Sequence, residues 1–214
     1  MKSGPQRRYE AVLFDLLTAL IDSWTLWNRV AGSEEAGRRW RAEYLELTYG
    51  CGDYEPYEKL VAAAAQRTGM RPGAAQALED EWLSLPPWPE APGLLASLSG
   101  THRLGIVTNC SERLGRAAAG LFGVSFETVI TAEKAGYYKP NPRPYQMALD
   151  ALRLPAGKVL FVAGSGFDLV GTARVGLDTY WHNRVGLKPP PKAPRPVMES
   201  KGLEGVPALA LSPA

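Results

Sequence analysis

The sequence predicts an α/β fold, a parallel β-sheet with helices on both faces and a helical segment inserted after the first strand. Two observations support this prediction. Short apolar runs alternate with stretches of helical periodicity, which is typical of parallel sheets. About 90 residues separate the first predicted strand from the second, a gap far longer than an ordinary crossover connection. The gap therefore predicts an inserted domain.

The first strand is predicted at residues 9–15, where YEAVLFD forms an apolar run that ends in an acid. Further strands are predicted at residues 103–108, 128–131, 158–163 and 178–181. Helices fit between them, including one that Pro142 could start, since proline suits the first turn of a helix.

The inserted segment is predicted to be a helical cap at residues 23–87. Its apolar residues fall on single helical faces, and the proline-rich residues 86–93 predict a stiff return to the core. Residues 1–22 and 88–214 would then form the core domain. The apolar faces comprise Trp40, Tyr44 and Leu47, then Leu60, Val61, Ala64 and Ala65, then Leu78, Trp82 and Leu85.

Composition excludes several classes of function. The 214 residues carry a formal charge of +2 and no basic stripe, which argues against a nucleic-acid partner. Two cysteines and two histidines are too few for a disulfide framework or a His-rich metal site, and they give little support to a Ser-His-Asp triad. No apolar run suits a signal peptide or a membrane span. The sequence therefore predicts a cytoplasmic protein without a membrane partner.

Polar residues follow the predicted strands where each one ends. The carboxyl ends of parallel strands form the ligand-binding edge of such a sheet, so these side chains predict a site. Each also has a structural alternative: Asp15, Asn109 and Ser111 as helix caps, Lys139 as a solvated loop charge, and Ser165 with Asp168 as a capping box. The strand-end residues are Asp15, Thr108, Asn109, Lys139, Ser165 and Asp168.

Four segments in chain order resemble the motifs of the haloacid dehalogenase superfamily of hydrolases. They are FDLLTALID at residues 14–22, IVTN at 106–109, YYKPNPRPY at 137–145 and FVAGSGFD at 161–168. The resemblance covers residues 9–184. It implies a Rossmann-like core with an inserted cap, and it makes Asp15 the nucleophile.

Two positions depart from the phosphatases of that superfamily. The resemblance aligns Leu17 with their second aspartate, which acts as general acid and base and helps bind magnesium. It aligns Gly164 with an acid of their fourth motif. Because the side chains of leucine and glycine supply neither a proton nor a metal ligand, no metal is expected, although two carboxylates and a backbone carbonyl leave a weak magnesium site open.

The L-2-haloacid dehalogenases, which need no metal, are the more similar group. WRAEYLELTYG at residues 40–50 resembles their cap helix and would place Arg41 over the nucleophile. Residues 17–19, Leu-Thr-Ala, stand where they usually have Tyr-Gly-Thr. Ala163 and Ser165 stand where they usually have serine and asparagine, beside the hydrolytic water.

This resemblance implies a two-step reaction on a small carboxylic acid, in an enzyme that could be a homodimer. Asp15 would displace halide and form an ester, which water activated by Asp168 would hydrolyse, while Lys139 balances charge. These three residues are the predicted catalytic set. The predicted substrate-binding residues are Leu16, Leu17, Arg41, Thr108, Asn109, Tyr145 and Ser165.

Two other functions stay open at the level of sequence. The first is an atypical phosphatase of the same superfamily, which a magnesium requirement would favour. The second is a catalytically reduced domain kept as a binding module, which the altered residues 18, 19 and 163 favour.

Overall fold

A parallel β-sheet lies at the centre of the computed structural model, which describes residues 8–211. Within those residues the sheet has six strands, and the predicted α/β fold with a parallel sheet is confirmed. The strands are β1 (Ala11–Phe14), β2 (Arg103–Thr108), β3 (Thr128–Thr131), β4 (Val159–Ala163), β5 (Asp178–His182) and β6 (Met198–Ser200). Their spatial order is β3-β2-β1-β4-β5-β6.

Helices connect these strands and account for most of the remaining described chain. Short 3₁₀ turns add to them at Trp82–Ser84, Gly120–Phe122 and Ala156–Lys158. The helices are α1 (Ser23–Ala31), α2 (Glu34–Gly50), α3 (Tyr57–Arg67), α4 (Ala74–Asp80), α5 (Ala91–Ser99), α6 (Glu112–Ala119), α7 (Ala132–Ala135), α8 (Pro142–Leu152), α9 (Asp168–Arg174) and α10 (Gly205–Ala210). The start predicted at Pro142 is confirmed, with Asn141 as the N-cap.

Strand β1 is buried on both faces, which explains its unbroken apolar sequence AVLF. Val12 and Phe14 belong to the hydrophobic cluster on one face of the sheet. Ala11 and Leu13 belong to the cluster on the other. Because β1 pairs with both β2 and β4, whatever follows Phe14 lies between the carboxyl ends of two neighbouring strands.

The four helices α1–α4 lie in the long gap between β1 and α5. The two ends of this segment meet in an antiparallel bridge between Ile21 and Pro87, and the Asp22 amide donates to the Pro86 carbonyl at 2.8 Å. This pairing closes a narrow neck below the helices. The division into a cap at residues 23–87 and a core formed by the rest is consistent with the neck and stays a prediction.

The structure adds one strand that the sequence did not predict and excludes one of the structural alternatives. Strand β6 was not predicted, because it has only three residues, none fully buried, and pairs at the edge of the sheet with β5. The capping box from Ser165 to Asp168 does not form. Helix α9 begins at Asp168, and Phe167 is its N-cap residue. The carboxylate of Asp168 is engaged elsewhere.

Candidate active site

Asp15 follows β1 directly and is buried, with 5% of its surface exposed. Its Oδ1 accepts a hydrogen bond from Lys139 Nζ at 2.8 Å. Its Oδ2 accepts three more, from the Thr18 amide at 2.9 Å, the Thr18 hydroxyl at 2.5 Å and the Ala19 amide at 3.1 Å. Burial would raise the pKa of Asp15, but Lys139 and these hydrogen bonds outweigh burial and lower it. The group is therefore an anion at neutral pH, as a nucleophile must be.

Lys139 is buried between two carboxylates rather than solvated in a loop. Its Nζ lies 2.8 Å from Asp15 Oδ1 and 3.0 Å from Asp168 Oδ1. Burial would lower the pKa of Lys139, but the two neighbouring acids outweigh it and raise the pKa. One fixed cation therefore links the ends of β1 and β4.

The two carboxylate oxygens of Asp168 differ in their hydrogen bonding. Its Oδ1 accepts from the Tyr145 hydroxyl at 2.6 Å, whereas Oδ2 is buried and has no hydrogen-bond partner among the described residues. Burial raises the pKa of Asp168, and the charge of Lys139 offsets this only in part. A carboxylate with a raised pKa and a free oxygen can take a proton from water.

A cavity of 310 Å³ lies between the cap helices and the end of the sheet. The three charged residues Asp15, Lys139 and Asp168 lie in its wall. Aromatic side chains supply much of the remaining surface, which limits the access of water and strengthens charged contacts. They are Trp24, Trp27, Tyr44, Tyr49, Tyr57 and Phe167.

Arg41 reaches the cavity from α2 and is 8% exposed. Its Nη1 donates to Ser23 Oγ at 2.8 Å, and its guanidinium carbon lies 4.0 Å from the centre of the Trp24 ring. Burial lowers the pKa of Arg41, but an arginine stays charged because its ordinary pKa is above 12. Arg41 and Asp15 therefore line the same cavity, and the role of Arg41 over the nucleophile stays a prediction.

The structure divides the predicted substrate-binding residues into two groups. Leu17, Arg41, Asn109 and Ser165 line the cavity. Leu16, Thr108 and Tyr145 are buried and do not line it. The reason is their packing: Tyr145 lies behind Asp168, and the Thr108 hydroxyl lies 3.8 Å from the Cys110 sulfur.

Asn109 lines the cavity and also holds the backbone of Lys139. Its Nδ2 donates to the Lys139 carbonyl at 3.0 Å, and its Oδ1 accepts from the Lys139 amide at 2.7 Å. The side chain thus clamps the backbone of Lys139, and it neither caps α6 nor is free for a ligand on its oxygen. The cap of α6 is Ser111.

Thr18 and Ser23 are two cavity residues that sequence reasoning did not select. Thr18 could have been found from its spacing, because a residue three positions after an aspartate can donate to it in a tight turn. Thr18 fits beside Gly164 because glycine has no side chain. A Cβ at position 164 would lie 2.2 Å from Thr18 Oγ1 and 2.4 Å from the Ala19 amide nitrogen.

Gly164→Ala is expected to lower the free energy of unfolding by about 1–3 kcal/mol and to reduce turnover. The added methyl would meet backbone atoms of residues 18 and 19, so the turn that holds Asp15 must shift. Chemical denaturation and a rate assay would measure this. Gly157→Ala is the control, since nothing lies within 4 Å of its added methyl. Equal effects of the two variants would contradict the prediction.

No cluster of three or more His, Cys, Asp or Glu side chains within residues 8–211 is arranged to hold a metal ion. Across the same part of the chain, no helix combines the length and the apolar character needed to cross a membrane.

The fold and the site together define a hydrolase with a buried, ionised aspartate at the carboxyl end of its central strand. The family model of the haloacid dehalogenase-like hydrolases matches residues 9–176, and the chain belongs to that family. The family predicted from the four motifs is thus confirmed.

Individual relatives are similar over most of their length. Haloacetate dehalogenase H-2 of Moraxella sp. (strain B) is 28% identical over 85% of this chain and 88% of its own. (S)-2-haloacid dehalogenase 2 of Pseudomonas sp. (strain CBS-3) is 27% identical over 92% and 94%. A crystal structure of an L-2-haloacid dehalogenase is 26% identical, with a TM-score of 0.83 over 95% of this chain and 99% of that one.

Proposed function

We propose that the chain is a 2-haloacid dehalogenase that hydrolyses the carbon–halogen bond of short 2-haloalkanoic acids through an ester on Asp15. The observation that carries the proposal is the cavity itself. It places an ionised aspartate, held by Lys139, in one pocket with the buried cation of Arg41. The names of the relatives support the substrate class.

In the first step the Asp15 carboxylate attacks the carbon that carries the halogen. The carbon–oxygen bond forms as the carbon–halogen bond breaks, and the halide leaves with the electron pair. Negative charge develops on the departing halide, and Arg41 is a buried cation that lines the cavity and forms no salt bridge with a carboxylate of the described residues. The aromatic walls exclude water, which strengthens this stabilisation.

In the second step water attacks the side-chain carbonyl carbon of Asp15. Asp168 Oδ2, which has no hydrogen-bond partner among the described residues, accepts one proton from that water. With Oδ1 of Asp15 as the attacking oxygen, the bond between Oδ1 and the Asp15 side-chain carbon then breaks. Oδ1 leaves with the substrate as an alkoxide, and Lys139 delivers a proton to it, since Nζ lies 2.8 Å from Oδ1. Lys139 regains a proton from the new carboxyl group, and Asp168 releases its proton to solvent.

A magnesium-dependent phosphatase does not fit the donor set. Leu17 offers only its carbonyl, and that oxygen already accepts a hydrogen bond from Ser23 at 2.5 Å. An acid at position 164 has no room, because even a Cβ there would meet the turn at residues 18 and 19. Lys139 occupies the space between the two carboxylates. The proposed enzyme therefore works without a metal.

The substrate class, the partners and the location of the enzyme follow from the same assignment. The substrate is a small carboxylic acid, and neither nucleic acid nor membrane takes part. The enzyme is cytoplasmic, as a monomer or as a homodimer. A catalytically reduced binding module is the remaining alternative, and the complete set of Asp15, Lys139 and Asp168 argues against it.

Halide release tests the proposal directly. Chloro-, bromo- and fluoroacetate and the 2-halopropionates are supplied with and without EDTA, and free halide is measured by ion chromatography. We expect release from at least one substrate and a rate that EDTA leaves unchanged, because no step uses a metal. Turnover lost on chelation and restored by magnesium would favour the phosphatase, and no release from any substrate would favour the binding module.

A further inference from the structure

Arg41 is a buried cation with few polar contacts. Among the described residues its guanidinium donates one hydrogen bond, to Ser23, and forms no salt bridge. A guanidinium has five N–H donors, so most of them are left for the cavity that Arg41 lines. An arginine side chain has many rotamers, and a site that depends on one of them needs something to select it.

The Ser23 hydroxyl both donates and accepts a hydrogen bond. It is 1% exposed, its Oγ accepts from Arg41 Nη1 at 2.8 Å, and its single hydrogen is donated to the Leu17 carbonyl at 2.5 Å. Leu17 lies two residues after Asp15, in the turn whose amides bind the Asp15 carboxylate. One hydroxyl thus joins the nucleophile turn to the arginine on α2.

Ser23 lies where the chain enters the cap, next to a second residue that contacts Arg41. Ser23 is the first residue of α1, directly after the neck formed by residues 21 and 87. Its neighbour Trp24 covers the face of the same guanidinium at 4.0 Å. An edge contact from Ser23 and a face contact from Trp24 together fix both the position and the plane of the Arg41 group.

We infer that Ser23 is a positioning residue that sets Arg41 over the nucleophile and ties the cap to the Asp15 turn. The Leu17 carbonyl fixes the direction of the hydroxyl hydrogen, and the remaining lone pairs then face Arg41. A cap displaced from the core breaks the hydrogen bond between Ser23 and the Leu17 carbonyl. This inference rests on the proposed function, because Arg41 is assigned there to the departing halide.

Loss of this link should affect the departure of halide more than the binding of substrate. Chloride is a poorer leaving group than bromide, so its departure depends more on a well-placed cation. A merely structural role for Ser23 would slow both substrates by the same factor. The ratio of the rates for 2-bromopropionate and 2-chloropropionate therefore separates the two roles.

The test measures kcat and KM for both substrates with the full chain. Ser23→Ala is expected to lower kcat for 2-chloropropionate by roughly 10- to 100-fold, to lower it less for the bromo acid, and to leave KM nearly constant. Ser23→Thr, which keeps the hydroxyl, should bring the ratio back toward that of the wild-type chain. Ser97→Ala is the control, because the Ser97 hydroxyl donates to the Leu94 carbonyl of its own helix and does not line the cavity.

The results distinguish failure of the proposed function from failure of the inference about Ser23. If the wild-type chain releases no halide, the proposed function fails. If it does, the inference is overturned when Ser23→Ala matches the wild type, when both substrates slow equally, or when threonine does not restore the ratio. Should the alanine variant not fold, Ser23→Cys takes its place with the same criteria, since a thiol is a much weaker hydrogen-bonding group.

Discussion

Replacing Asp15 with asparagine is expected to abolish halide release, by at least about 10⁴-fold, as removal of a nucleophile does in other enzymes. The amide is a poor nucleophile, and it also removes the negative charge that Lys139 balances. The amide is nearly isosteric with the carboxylate, so packing around the buried turn should survive. Halide assays and a thermal melt of the same sample would measure the two effects.

Turnover of the wild-type chain in water labelled with heavy oxygen tests directly whether the reaction passes through an ester on Asp15. If the reaction passes through an ester, a single turnover places the label in the Asp15 side chain, because water attacks the enzyme's carbonyl carbon. Mass spectrometry of the peptide that contains residue 15 would locate it. Label found only in the hydroxy acid product would mean that water attacks the substrate directly, and Asp15 would then be at most a general base.

Lys139→Met is expected to lower both stability and activity. It leaves two buried carboxylates, Asp15 and Asp168, without their shared cation. Removing one partner of a buried ion pair costs about 3–5 kcal/mol. Turnover should fall by at least about 100-fold, because the proton donor for the alkoxide is lost. Urea denaturation and the halide assay would measure the two losses.

The stability loss in Lys139→Met should depend on pH. The pKa of Asp15 is lowered in the folded chain, so its contribution is present above the ordinary pKa of 3.8 and is lost as pH falls through the lower folded value. Lys134→Met is the control, because Lys134 is exposed and lies outside the cavity. A Lys139→Met chain as stable and as active as the Lys134 variant would contradict the assigned role.

Local patterns in the sequence were enough to predict the parallel sheet. Alternating apolar and helical segments define a parallel sheet, and parallel strands present their carboxyl ends at one edge. Asp15 and Asp168 were expected at that edge for this reason, and both lie there. The short edge strand β6 escaped prediction because three residues carry no periodicity.

The sequence by itself determined the family, the sheet and the residue types at the strand ends, since each depends on neighbours in the chain. Tertiary structure decided which of those residues meet. Lys139 reaches Asp15 across 124 positions, Thr18 occupies the space that Gly164 leaves open, and Asn109 turns its amide to the backbone of Lys139. Such contacts depend on side-chain packing between distant segments, and local periodicity contains no information about them.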